Sequence, residues 1–137
     1  MGFLIDTALW IEIERGRLTA GDVHALTRQD PIYLSPVNLA EIRLGIELMT
    51  EPRQKRKALT ALRRLRRKPI LRITGETGEL FGQLAARLTK SGRAHGFRVQ
   101  DLWLAAQAVQ RDFTLLTANE KDFRDIPGLR FAVIKLA

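Results

Sequence analysis

Phe3-Leu4-Ile5-Asp6-Thr7-Ala8-Leu9-Trp10 sets three apolar residues against an acid, and a helical pattern follows through about Arg15. The apolar run is too short for a helix and too continuous for a strand with one wet face. It reads as a buried strand that turns directly into a helix. The same grammar recurs along the chain. A helix is expected over Ala20–Arg28, ended by Asp30-Pro31, then a strand over Ile32–Ser35. Pro36 sits where a helix favours proline, and that helix runs to about Met49. A basic helix follows Pro52 with a thin apolar line of Leu59, Leu62 and Leu65, and Pro69 ends it. Ile70–Ile73 reads as a strand, Thr77–Leu88 as a helix, Ser91–Gly96 as a loop, and a further helix starts near Asp101. Strands over Thr114–Thr117 and Phe131–Leu136 close the chain. Short buried strands alternating with helices imply an α/β fold with a mostly parallel sheet.

The length of 137 residues fits one domain with a core of its own. Hydrophobic residues at 45% and charged residues at 28% exclude a disordered chain. The absence of cysteine removes disulfides, thiolate metal sites and cysteine nucleophiles. No nucleophile elbow, zincin, P-loop or dinucleotide-binding motif is present, and two histidines and two serines are too few for most triad or zinc chemistry. The first residues lack a basic leader and carry Asp6 and Glu12, and no apolar run approaches a membrane span. A soluble, cytoplasmic protein is the expectation.

The net charge of +8 is concentrated rather than spread. Between residues 52 and 69 stand nine lysines and arginines and no acid, among them Arg56, Lys57, Arg63, Arg64 and Arg67, so the rest of the chain is nearly neutral. Such a stripe is the usual footprint of a polyanionic partner, with a merely solvated helix face as the alternative.

In an open parallel sheet, ligands bind beyond the carboxyl ends of the strands. Asp6 ends the first strand, and Asp122 follows the Thr114–Thr117 strand by a short turn. Asp101 stands at a helix start in VQDLWLAAQAV. Each has helix capping as an alternative role. Glu41 is harder to explain that way, because helical spacing sets it on one apolar stripe with Val37, Leu44 and Leu48. A carboxylate so placed needs an arginine partner or a cation. Carboxylates brought together without a cation oppose one another's ionisation, and an all-oxygen site suits Mg²⁺ or Mn²⁺. An acidic site beside a basic stripe fits a polyphosphate substrate, its backbone held by one and a phosphodiester attacked at the other.

Four segments then resemble the signature segments of PIN-domain ribonucleases: FLIDTALW at 3–10, SPVNLAEIRLGIE at 35–47, VQDLWLAAQA at 99–108 and LLTANEKDFRDIPG at 115–128. Their order, spacing and total length are similar to VapC-type toxins of bacterial toxin–antitoxin pairs, including the FitB-like branch. The resemblance implies a single PIN domain over residues 1–137, a three-layer α/β/α sandwich. It implies that Asp6, Glu41, Asp101 and Asp122 coordinate one or two Mg²⁺ or Mn²⁺ ions that activate water for RNA phosphodiester hydrolysis. Thr7, Thr117 and Asn119 match the polar positions that brace such a site, and Asn38 stands where the family more often carries threonine. It further implies a homodimer silenced by a cognate VapB-type antitoxin, whose tail lies along the toxin groove and sets a basic side chain against the acids. The basic helix serves either the RNA or that antitoxin.

Two other classes compete with this reading. A catalytically silent RNA-binding module would shift RNA without creating new ends. A haloacid-dehalogenase-like phosphatase also uses an aspartate after its first strand, but needs a second acid two residues on, where this chain has Ala8. Trp10 and Trp103 are expected to pack beside the site, and His24 and His95 carry no role.

Overall fold

Leu4 and Ile5 point to opposite faces of a strand, as do Leu115 and Leu116, and all four are fully buried. Only a sheet covered on both faces satisfies that pattern. The computed structural model, which describes residues 2–92 and 98–136, has such a sheet. Strands β1 (Phe3–Ile5), β2 (Ile32–Tyr33), β3 (Thr114–Thr117) and β4 (Arg130–Val133) run parallel in the order β2-β1-β3-β4. Leu4 pairs with Leu115 and Ile5 with Leu116, while Thr117 pairs with Val133.

The helices are α1 (Thr7–Glu14), α2 (Ala20–Thr27), α3 (Pro36–Glu47), α4 (Pro52–Leu65), α5 (Gly75–Lys90) and α6 (Val99–Arg111). Leu4 and Leu115 pack with Leu84, Leu88, Leu102 and Ala105 from α5 and α6. On the other face Ile5 and Leu116 pack with Leu9, Trp10 and Val23 from α1 and α2. The expected three-layer α/β/α arrangement is therefore the one observed. From β1 the chain steps to β2 on one side and later returns to β3 on the other. The carboxyl ends of β1 and β3 thus form a topological switch point, where such sheets open a crevice.

Several boundaries differ from the sequence expectation. Residues 70–73 form no strand: Ile70 makes one parallel bridge to Leu34, through Leu34 N–H to Pro69 O at 2.9 Å and Leu71 N–H to Leu34 O at 2.8 Å. Pro69 has no N–H to continue the ladder, and the chain leaves at Thr74, which caps α5 in a reciprocal box with Thr77. Helix α5 therefore begins two residues before Thr77. Helix α6 begins at Val99, so Asp101 is its third residue and not its cap. The last strand is shifted to Arg130–Val133, with Ile134 N–H still bonded to Thr117 O at 2.9 Å. Of the expected loop 91–96, only residues 91 and 92 lie within the described residues; His95 lies outside them, and His24 is exposed on α2.

Candidate metal centre

Asp6 leaves β1 at the switch point and occupies the cap position of α1, yet its side chain makes no capping bond. Instead Oδ2 accepts the Thr117 hydroxyl at 3.0 Å. That hydroxyl in turn accepts the Asn119 N–H at 3.0 Å, and Asn119 Nδ2 donates to Asp122 Oδ2 at 2.7 Å. Asp122 closes a single 3-10 turn after β3, half-buried. One run of hydrogen bonds therefore ties the first acid to the last across the two central strands. Thr117 and Asn119 stand where the sequence places them, each touching an acid.

Glu41 is placed by a second run. Ser35 caps α3 and its N–H is bonded by Asn38 Oδ1 at 2.8 Å, a reciprocal box with Pro36 in the first turn. The Asn38 amide then donates to Ile5 O at 3.1 Å and to the Thr7 hydroxyl at 2.9 Å. Because that hydroxyl has one proton, it gives it to Glu41 Oε1, at 2.7 Å. Asn38, fully buried, thus fixes the end of β1, the start of α3 and the orientation of Thr7 together. In the sequence it stands out only as a departure from a family pattern. Its position three residues after a serine and before an apolar helix is the signal that could have found it.

Asp101 comes from the first turn of α6, its side chain 4% exposed. One carboxylate oxygen, Oδ2, is buried with no hydrogen-bond partner. Burial pushes its pKa up from 3.8 to about 7, against the pull of Arg98, and the charges of Asp6, Asp122 and Glu41 push the same way as burial. Asp6 is raised too, chiefly by burial and also by Glu41, while the Thr117 hydroxyl opposes the rise. The four acids read from the sequence are therefore brought into one electrostatic neighbourhood, and capping explains neither Asp6 nor Asp101.

Arg98 carries no signal in the sequence. Its Nη2 lies 3.2 Å from Glu41 Oε2 and its Nε 3.8 Å from Asp101 Oδ2. The stripe expected around Glu41 also needs correction. Leu44 and Leu48 are 61% and 72% exposed, because α3 buries Asn38 and Ile46 and packs Val37, Leu39 and Ile42 against the cores, which leaves these two leucines on its open side. Glu41 sits at the edge of that face, not in a core.

The donors suit a hard dication: four carboxylates, one oxygen of Asp101 left without a partner, and charges that oppose one another. As they stand, no three such side chains among the described residues converge on a common point close enough to hold an ion.

A groove of about 690 Å³ runs from Glu41 between α1, α3 and α4. Trp10, Ile13, Ile42, Ile46 and Leu65 contribute apolar lining, and Lys57, Arg64 and Lys68 contribute cations. Trp10 is buried as expected, its indole N–H without a partner, and Trp103 stacks on Phe81 at 4.2 Å between ring centres. The basic run is split by the helix. Lys57 and Arg64 line the groove, whereas Arg56 and Arg63, exposed on α4, do not; Arg67 is exposed in the turn that follows α4, so it does not continue the helical face of Arg63.

No helix among the described residues is long and apolar enough to cross a membrane. The chain is 29% identical to a ribonuclease VapC of Rickettsia bellii, over 99% of its own length and 98% of that protein's. Among solved structures it is similar to VapBC2 of Rickettsia felis bound to a DNA fragment from their promoter, with a TM-score of 0.83, 23% identity, and 98% and 100% of the two chains covered. It is also similar to FitAcB of Neisseria gonorrhoeae, with a TM-score of 0.72, 21% identity, and 95% and 96% covered. The PIN domain pattern matches residues 3–129, and the chain belongs to the PIN domain family.

Proposed function

We propose that this chain is an endoribonuclease toxin of the VapC type, dependent on Mg²⁺ or Mn²⁺ and silenced by a cognate antitoxin. The observation that carries the reading is Asp101. It is a buried carboxylate with one unpartnered oxygen, raised to about 7 and acted on by Asp6, Glu41 and Asp122. Burying such a group among like charges is costly for a fold, and functional sites are where that cost is met. The relatives support it, being named ribonucleases or described as members of toxin–antitoxin systems.

Asp6, Glu41, Asp101 and Asp122 would hold the ion. When bound, it supplies Lewis-acid charge and an acidified water for attack on a phosphodiester. The chain's own residues do the rest. Thr7 and Thr117 aim the carboxylates of Glu41 and Asp6, and Asn119 aims that of Asp122. Each donor fixes one rotamer of its acid, so the site is oriented before any ligand arrives.

The groove is the seat proposed for the antitoxin. An amphipathic segment would set apolar side chains against Trp10, Ile42 and Ile46, acids against Lys57, Arg64 and Lys68, and a basic residue at the Glu41 end. Arg56 and Arg63, outward on α4, and Arg67, exposed in the turn after it, are then left for RNA. Labelled RNA incubated with Mn²⁺, or with EDTA, tests the assignment. New ends that require metal and vanish with Asp101→Asn are the expected result; a shift without new ends would identify a binding module.

A further inference from the structure

Arg98 occupies the cap position of α6 but its side chain caps nothing. It reaches instead across 57 residues of sequence to Glu41, at 3.2 Å, and back to Asp101, at 3.8 Å. The oxygen it faces on Asp101 is the one without a hydrogen-bond partner.

We propose that Arg98 is the site's own counter-cation, bridging Glu41 and Asp101 and having to withdraw before a dication can draw the carboxylates together. The inference rests on the metal-dependent reading above. Three observations lead to it. First, the guanidinium lies between acids from two different helices, where its charge offsets a repulsion the fold otherwise carries uncompensated. Second, no three carboxylates among the described residues converge on one point. A guanidinium nitrogen 3.2 Å from its oxygen spaces the acids more widely than a Mg²⁺-sized ion, which needs oxygens at about 2.1 Å. Arginine and ion therefore cannot share the position. Third, the arginine is free to leave. Its side chain is 58% exposed, against 20% for Glu41 and 4% for Asp101. An ion pair with so exposed a cation is weak and exchanges readily with water.

Loading is then a competition. The metal must displace one positive charge to gain its own ligands, so Arg98 sets the concentration at which the site fills. Without Arg98 the metal-free protein would lose its only close compensating charge on Glu41 among the described ion pairs.

Mn²⁺ binding to the full chain, followed by electron paramagnetic resonance of the free ion and by calorimetry, tests this without any cleavage assay. Arg98→Gln should bind Mn²⁺ more tightly than the wild-type chain, by ~tenfold or more, since a nearby like charge is removed. Arg98→Lys keeps the charge but loses the two-pronged bridge and should fall between them. Metal-free Arg98→Gln should melt below wild type and rise further when Mn²⁺ is added. If Arg98→Gln does not fold, Arg98→Lys alone decides, because any tightening must come from loosening the bridge. Variants that bind with wild-type affinity or weaker overturn the counter-cation role and leave the metal site standing. Absence of Mn²⁺ binding in all three proteins overturns the metal reading, and this inference with it.

Discussion

The Thr7 hydroxyl, held by Asn38, gives its single proton to Glu41 at 2.7 Å, so a residue of α1 orients an acid of α3. Losing that donor leaves Glu41 held, among the described residues, by Arg98 alone. Thr7→Val keeps shape and removes the bond. RNA cleavage should fall by roughly 10–100-fold, as is typical when a residue bracing a metal ligand is lost. Weaker Mn²⁺ affinity should accompany the loss, with far-ultraviolet circular dichroism unchanged. Full activity in Thr7→Val would show that Glu41 needs no such support.

Asn38 predicts a different outcome, because its three bonds lie in the core. Asn38→Ala leaves Ser35 N–H and Ile5 O without their partner. Each buried group so orphaned costs about 1–3 kcal/mol. Urea unfolding should show a loss of several kcal/mol, much larger than for Thr7→Val. Asn38→Thr, the residue the family resemblance leads one to expect there, should recover part of it.

Asp101 gives a pH dependence whose sign follows from its raised pKa. In the unfolded chain it titrates near 3.8 and in the folded one near 7. Between those values the native state holds the proton more firmly, so this group's contribution to stability falls as pH rises through that window and levels off above it. Melting in EDTA should therefore decline between pH 4 and 7 more steeply for the wild-type chain than for Asp101→Asn. A metal competes with the same proton, so Mn²⁺ affinity should weaken as pH drops below about 7. Parallel melting profiles for the two proteins would contradict the shift.

Holding and cutting RNA should separate. Asp101→Asn removes charge stabilisation at the reacting phosphate, so cleavage should drop by orders of magnitude while binding persists. Arg56→Glu with Arg63→Glu, two turns apart on the outward face of α4, should do the reverse. Each phosphate deprived of its cation should flatten the log–log salt slope by about 0.7 for a single strand. Turnover at saturating RNA should change little, since such ion pairs are equal in ground and transition states. Lys57→Glu with Arg64→Glu, on the groove side, should instead weaken the antitoxin.

Leu44 and Leu48 stand out from α3, largely open to solvent in a single chain. We expect a second copy of the chain to cover this face in the homodimer that the family resemblance implies. Light scattering should give twice the chain mass for wild type and the single mass for Leu44→Glu with Leu48→Glu. An unchanged mass in the double variant would move the dimer interface elsewhere.

How far the sequence can be read depends on the range of the forces involved. Buried strands and helix starts are local, so β1, α1, α3 and the basic helix are legible from spacing, proline and apolar runs. The acids are legible as a set only through the family resemblance, because Asp6 and Asp101 also satisfy the local rules for caps. Their missing cap bonds are a fact of three dimensions. Arg98 is illegible, since its pairing with Glu41 spans 57 residues and leaves no periodic trace. Ile70–Ile73 misleads for the opposite reason. Its composition favours a strand, but Pro69 and the departure at Thr74 leave it a single bridge.

The order of strands across the sheet has a bearing on how the protein is born. Asp6 is made long before its neighbours Thr117 and Asn119, the first of which follows it by 111 residues. Until β3 emerges to lie beside β1, the nascent polypeptide has one edge of its central strand open and Asp6 unbraced. Such distant pairing is slow to form and cannot be anticipated by earlier segments. At roughly 5–20 residues per second, on the order of ten seconds of translation separate this acid from its brace. The site is therefore completed late: neither Asp6 nor Asp122 is oriented before β3 and the turn after it exist.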